Sequence, residues 1–258
     1  MINYIIESLP RSGSTFLCDL LFRNNLLPGT KYNNLFEITL RGVIKKEKIH
    51  TLTEFQCFLD AFFNFERVQY HKNSLSGFKL IPSSILQMQN LISNASWKEL
   101  IKLLIKEKKI IRIKREYSKL CYSYTHAYLT NAWRYDENRS LRKNFYTKDL
   151  FALDLAHKKI EQIKNWYDEE YLPYANNLCN EVYEIEFNEL VSQPKEVIEK
   201  ICIFLNVDTP KQYCLTSREK KMPKHDFPLL YKTYNNLSKS KTKLERLNTY
   251  LEKENLEN

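Results

Sequence analysis

Ile2-Asn3-Tyr4-Ile5-Ile6-Glu7-Ser8-Leu9-Pro10-Arg11-Ser12-Gly13-Ser14-Thr15 decides how the chain reads. Residues 2–8 form a β-branched and aromatic run, and an amphipathic stretch follows the loop to about Asn25. Strand, tight turn, helix is the expected parse. A helix beginning there aims unsatisfied backbone N–H groups and its positive dipole end at one spot, which favours an anion. Gly13 lets the backbone approach a ligand, Ser12, Ser14 and Thr15 offer hydroxyls, and Arg11 adds a forked cationic donor. The loop has no lysine of the GxxxxGK[ST] kind, which argues against an enzyme that cleaves ATP or GTP. An ordinary strand-to-helix turn with a Ser/Thr cap would carry the same residues, so a second feature has to decide.

Further strands are expected at 75–81, closed by Pro82, at 109–114, and at 181–187, where apolar and polar residues alternate. Helical segments at about 96–108, 117–135 and 194–205 separate or follow them, with further helical blocks at 51–66, 145–172 and 236–255. Strands alternating with helices imply a parallel sheet. The expected class is α/β: a P-loop-like parallel sheet flanked by helices, with helical additions. Residues 135–148 read as a polar surface loop, and no repeat or linker divides the chain, so one domain over 1–258 is expected.

The second feature follows the 109–114 strand. Arg115 stands at its carboxyl end and Ser123 eight residues later in the next helix. Both can face the crevice where parallel sheets bind ligands, so together with the first loop they suggest a ligand with two separated anionic groups.

Composition sets the bounds. With 258 residues, 43% hydrophobic and 28% charged, the chain can bury a core without disulfides. No apolar run approaches a bilayer span, and Met1-Ile2-Asn3-Tyr4 lacks a signal-peptide start, so a cytoplasmic location is expected. The six cysteines are scattered, with no CxxC pair, and read as reduced thiols. The net charge of +9 favours a polyanionic partner, but 29 lysines against 11 arginines look like background, and individual arginines carry more weight. No arginine-rich stripe or reading motif points to nucleic acid.

Taken in order, Pro10-Arg11-Ser12-Gly13-Ser14-Thr15 and the Arg115/Ser123 pair resemble the two nucleotide motifs of the sulfotransferases that use 3′-phosphoadenosine 5′-phosphosulfate (PAPS). The resemblance covers most of 2–207 and is closest to the bacterial enzymes that sulfate carbohydrates and glycolipids. It implies PAPS as cosubstrate, with Arg11, Ser12, Gly13, Ser14 and Thr15 at the 5′-phosphosulfate and Arg115 with Ser123 at the 3′-phosphate. Gly77-Phe78-Lys79 resembles the strand bearing a lysine near the transferred group, and Phe187-Asn188-Glu189-Leu190 a later strand end of the family. From about 213 the helical tail matches only loosely, with Arg218, Lys220 and Lys221 where the family often has another basic nucleotide contact.

One departure concerns the catalytic base. Asn34 stands where those bacterial enzymes carry an acid, which leaves Glu37 as the candidate base, with His71 or His126 as substitutes. Sulfuryl transfer asks the protein to position groups and offset charge, so Arg11, Lys79 and the loop N–H groups would suffice and no metal is expected. Phe16 is placed either to stack on adenine or to join the core, and the aromatics of 117–135 either to line a sugar site or to pack inward. The expected function is transfer of a sulfuryl group from PAPS to a hydroxyl of a carbohydrate or glycolipid, a lipid-linked acceptor implying peripheral membrane contact. The alternatives are a non-catalytic nucleotide-binding module and an ATP-dependent small-molecule kinase.

Overall fold

The computed structural model describes residues 4–27, 49–60, 77–89, 91–92, 95–130 and 150–215. Four parallel strands, β1 (Tyr4–Ser8), β2 (Gly77–Leu80), β3 (Lys109–Lys114) and β4 (Glu181–Glu186), form a sheet in the order β2-β1-β3-β4. The helices are α1 (Ser14–Arg23), α2 (52–60), α3 (Ser83–Gln89), α4 (Trp97–Ile105), α5 (Tyr117–Thr130), α6 (Leu150–Trp166), α7 (Leu172–Asn176), α8 (Phe187–Ser192) and α9 (Pro194–Leu205). A π-helical turn, Tyr167–Tyr171, joins α6 to α7. The α/β class expected from the sequence is the fold observed.

The chain separates into two compact units, Met1–Leu120 with Glu161–Lys220, and Cys121–Ile160 with Lys221–Asn258. The first holds the sheet. Every residue of β1 is buried, as a strand with neighbours on both sides and helices on both faces requires. Alternation sends Tyr4, Ile6 and Ser8 to one face and Ile5 and Glu7 to the other. On the first face Tyr4 and Ile6 join Leu17 and Leu21 of α1, Ile111 of β3 and Ile198 of α9 in one core. There the Tyr4 hydroxyl donates to the Leu26 carbonyl at 2.8 Å and so ties the strand to the end of α1. Gly77 is required beside it, because a Cβ at that position would stand 2.6 Å from the Tyr4 ring.

The order of the strands fixes where a ligand can sit. From β1 the chain steps to β2 on one side and then returns to β3 on the other, so a crevice opens at the carboxyl end of β1. α1 starts at that point.

Of the second unit, residues 121–130 and 150–160 are described. Tyr124 and Tyr128 stack at 6.3 Å along α5, with the Lys159 ammonium 5.4 Å over the Tyr128 ring and Lys158 paired to Asp154 at 3.2 Å.

Several boundaries differ from the sequence reading. Helix α3 follows Pro82 where only a strand end was expected; Pro82 and Ile81 supply the carbonyls that Ile85 and Ser84 need to start it. β4 stops at Glu186, and Phe187 begins α8. Of the helical block expected at 145–172, the described residues from Leu150 form α6, the π-turn and the start of α7. The loop at 135–148 and the helix at 236–255 lie outside the described residues. Among the described residues no helix is long and apolar enough to cross a membrane.

Candidate functional site

α1 lacks a side-chain cap. Its N-cap is Gly13, in the left-handed region at φ 97°, and no side chain bonds the first N–H groups. The contrast lies within the same unit: Ser96 and Glu99 close a reciprocal capping box on α4, and Thr51 and Glu54 do the same before α2. The N–H groups of Phe16 and Leu17 bond back to the Gly13 carbonyl at 2.9 and 3.1 Å, so the dipole end and the donors before Phe16 are what no side chain caps.

Ser8 and Ser12 surround that turn. Both are excluded from solvent, and neither hydroxyl has a hydrogen-bond partner among the described residues. A buried hydroxyl without a partner costs about 1–3 kcal/mol, so two beside one helix start mark a place fitted to an oxygen-rich group. Arg11, immediately before Ser12, stands at φ 70°, a left-handed conformation that few residues other than glycine adopt unless the surrounding turn holds them there.

Arg115 closes the site from β3. Its Nη1 donates to the Arg11 carbonyl at 2.6 Å, its guanidinium carbon lies 4.4 Å over the Phe187 ring, and its buried Nε–H has no partner among the described residues. Burial, and after it the charge of Arg11, pull the Arg115 guanidinium down to about 10, with Glu116 opposing both. Two cations and an incomplete donor set at one helix start call for an anion. Phe187 also sits under the loop: a Cβ on Gly13 would stand 2.5 Å from Phe187 Cε2 and closer still to Cδ2.

The remaining predicted positions fall as follows. Ser14 is buried and Thr15 half-buried in the first turn of α1, and Phe16 packs against the core. Lys79, buried in β2, is in register with Ile6 and shares the sheet face of Tyr4 and Ser8. Ser123 stands nearly two turns into α5, in the second unit. Glu37, Asn34, His71 and Arg218 lie outside the described residues, as does the side chain of His126. The structure thus brings together the loop, Lys79's face of the sheet and Arg115.

Sequence reasoning missed the cluster behind this site. On the opposite face of β1, the buried Glu7 accepts from Arg112 Nε at 2.6 Å and from the hydroxyls of Tyr167 at 2.6 Å and Tyr171 at 2.9 Å. Arg112 also donates to Asn176 at 2.9 Å. Burial pulls the Arg112 guanidinium down, but the charge and hydrogen bonds of Glu7 outweigh it and raise it overall. The π-turn presents Tyr167 and Tyr171 as a stacked pair, ring centroids 5.2 Å apart, to one carboxylate. A signal existed in the sequence: Glu7 and Arg112 are charges inside apolar strand runs.

Comparison with known proteins adds the family. A family model described as "Sulfotransferase family" matches residues 4–211. Among solved structures the chain is similar to the sulfotransferase domain from the curacin biosynthetic pathway, at 12% identity and TM-score 0.40, over 84% of this chain and 80% of that one. It is also similar to a sulfotransferase from Alicyclobacillus acidocaldarius, at 16% identity and TM-score 0.40, over 85% and 88%. A third is mouse sulfotransferase SULT7A1 complexed with PAP, at 14% identity and TM-score 0.34, over 94% and 66%. No curated protein matches.

Proposed function

This chain belongs to the sulfotransferase family, and from that premise we propose that it moves a sulfuryl group from PAPS to a hydroxyl of a carbohydrate or glycolipid. One observation carries the reading: the buried Ser12 hydroxyl, without a partner among the described residues, stands beside an uncapped helix start and next in sequence to Arg11, whose carbonyl holds Arg115. These residues fit a doubly anionic nucleotide.

When bound, PAPS supplies the sulfuryl group and a bisphosphate leaving group. The α1 N–H groups, Ser12, Ser14, Thr15 and Arg11 bind its 5′ end, and Arg115, with Ser123 from its spacing in the sequence, binds the 3′-phosphate. Gly13 keeps the loop low enough for backbone donors to reach the ligand. Lys79 stands on the sheet face that leads to the loop and offsets charge developing on the bridging oxygen. Phe16 supports the first turn of α1 from the core side. Glu37 takes the proton of the acceptor hydroxyl, and Arg218 adds a basic contact to the nucleotide.

The test is transfer itself. Purified protein is incubated with [35S]PAPS and a panel of oligosaccharides and glycolipids, and labelled products are separated from nucleotide. Label on at least one sugar hydroxyl, with Lys79→Ala lowering the rate about 10²-fold or more, supports the reading. Bisphosphate binding with no label on any acceptor would favour a binding module instead.

A further inference from the structure

We propose that Phe187 is a positioning residue that couples the two halves of the anion site, holding Arg115 in place without neutralising it. The inference rests on the nucleotide reading above and concerns how this chain sets the strength and selectivity of that site.

Arg115 has a holding problem. It lies near a second cation, Arg11, and at short range like charges repel by several kcal/mol in partly buried surroundings. Proteins usually restrain such an arginine with a carboxylate, but a tight ion pair would spend the positive charge that an anionic ligand needs. The adjacent acid is engaged elsewhere: Glu116 pairs with Lys119 at 2.6 Å and accepts from the Ser118 hydroxyl. What holds Arg115 instead is neutral, the Arg11 carbonyl at 2.6 Å on one side and the face of Phe187 at 4.4 Å on the other. A ring face attracts a guanidinium through its quadrupole and leaves its charge intact and its edge free to donate.

The same ring bears on the first motif. Phe187 is buried, and its edge fills the place where a side chain on Gly13 would be, so it sets how far the loop can sink toward the sheet. Phe187 begins α8 directly after β4, so its position is fixed by a strand that pairs with β3, the strand leading into Arg115. One side chain thereby fixes the distance between the loop and the arginine.

The experiment measures Kd for adenosine 3′,5′-bisphosphate and for AMP on wild type, Phe187→Leu and Phe187→Tyr. Phe187→Leu keeps apolar bulk but removes the ring face. We expect its bisphosphate affinity to fall about tenfold and its AMP affinity by less than about twofold, with Phe187→Tyr restoring both. An equal loss for both nucleotides, or no loss, overturns the proposal, because it would place the ring against the nucleoside or nowhere. A wild type that does not prefer the bisphosphate would instead overturn the nucleotide reading on which the proposal stands. A second measurement needs no Phe187 variant: in wild-type protein the Arg115 side-chain protons, assigned through Arg115→Lys, should be shifted upfield by the ring current. Their appearance at ordinary positions would contradict the stacking, whatever the stability of Phe187→Leu.

Discussion

Glu7 and Arg112 lie directly across from each other on β1 and β3, 2.6 Å apart from Oε1 to Nε, and both are all but sealed from solvent. Glu7 sits one residue before Ser8, so the pair anchors the strand just below the anion loop. Its remaining lone pairs go to the hydroxyls of Tyr167 and Tyr171, so the carboxylate is satisfied on both oxygens. Removing Glu7 would leave the buried Arg112 guanidinium only the Asn176 amide at 2.9 Å and the half-exposed Glu184 carboxylate at 3.5 Å. Glu7→Ala is expected to lower unfolding stability by about 3–5 kcal/mol in urea titrations, and Glu7→Gln by distinctly less. A loss under about 1 kcal/mol for Glu7→Ala would mean that Glu184 and Asn176 suffice to hold Arg112.

Alkaline pH should expose the same cluster. Burial, and next the charge of Glu7, raise the Tyr167 and Tyr171 phenols well above the ordinary value, and burial does the same to Tyr4. Because their folded values exceed the unfolded value of about 10, the stability they lend is complete below about pH 10 and is lost as pH rises through the raised values. Absorbance at 295 nm should show these three tyrosines ionising well above pH 10 and only as the fold melts. A single smooth titration with retained circular dichroism would contradict the burial of all three.

Ser12→Ala should separate binding from stability. The hydroxyl has no partner among the described residues, so removing it should change unfolding stability by less than about 0.5 kcal/mol or raise it slightly. Bisphosphate affinity should nevertheless fall about tenfold, the worth of one hydrogen bond to a charged group. Urea titration beside calorimetry reads both quantities; a stability loss above about 1 kcal/mol would show that the hydroxyl serves the fold.

Gly77→Ala tests the packing beneath the site. The added methyl would meet the Tyr4 ring, which is fully buried and tied through its hydroxyl to Leu26 and so has little room to move. Overpacking of this kind costs about 1–3 kcal/mol in urea titrations. A neutral result would show that β2 shifts away from β1.

The parts of the fold legible in the sequence were those set by local chemistry. β1, the loop and α1 follow from an apolar run, a turn with one glycine and an amphipathic stretch, and β3 and α9 appear at the residues the pattern gave. Long-range register was not legible. Glu7 and Arg112 each stood out as a charge in an apolar run, but only the pairing of β1 with β3 makes them partners. The π-turn depends on two tyrosines serving one distant carboxylate, which no local periodicity encodes. Phe187 read as a strand end, and its contact with Gly13 and Arg115 arises because β4 delivers it to the far side of the loop. Glu37 and Arg218, read from sequence alone, await the same kind of placement.

The site proposed for two separated phosphates is built from the α1 start and Arg115. Calorimetry of adenosine 3′,5′-bisphosphate, AMP and ATP on wild type and Arg115→Ala tests it most directly. Wild type should prefer the bisphosphate to AMP by about a hundredfold, and Arg115→Ala should remove most of that preference while leaving AMP binding within about threefold. Equal affinity of wild type for the three nucleotides, or a preference unchanged in Arg115→Ala, would contradict it.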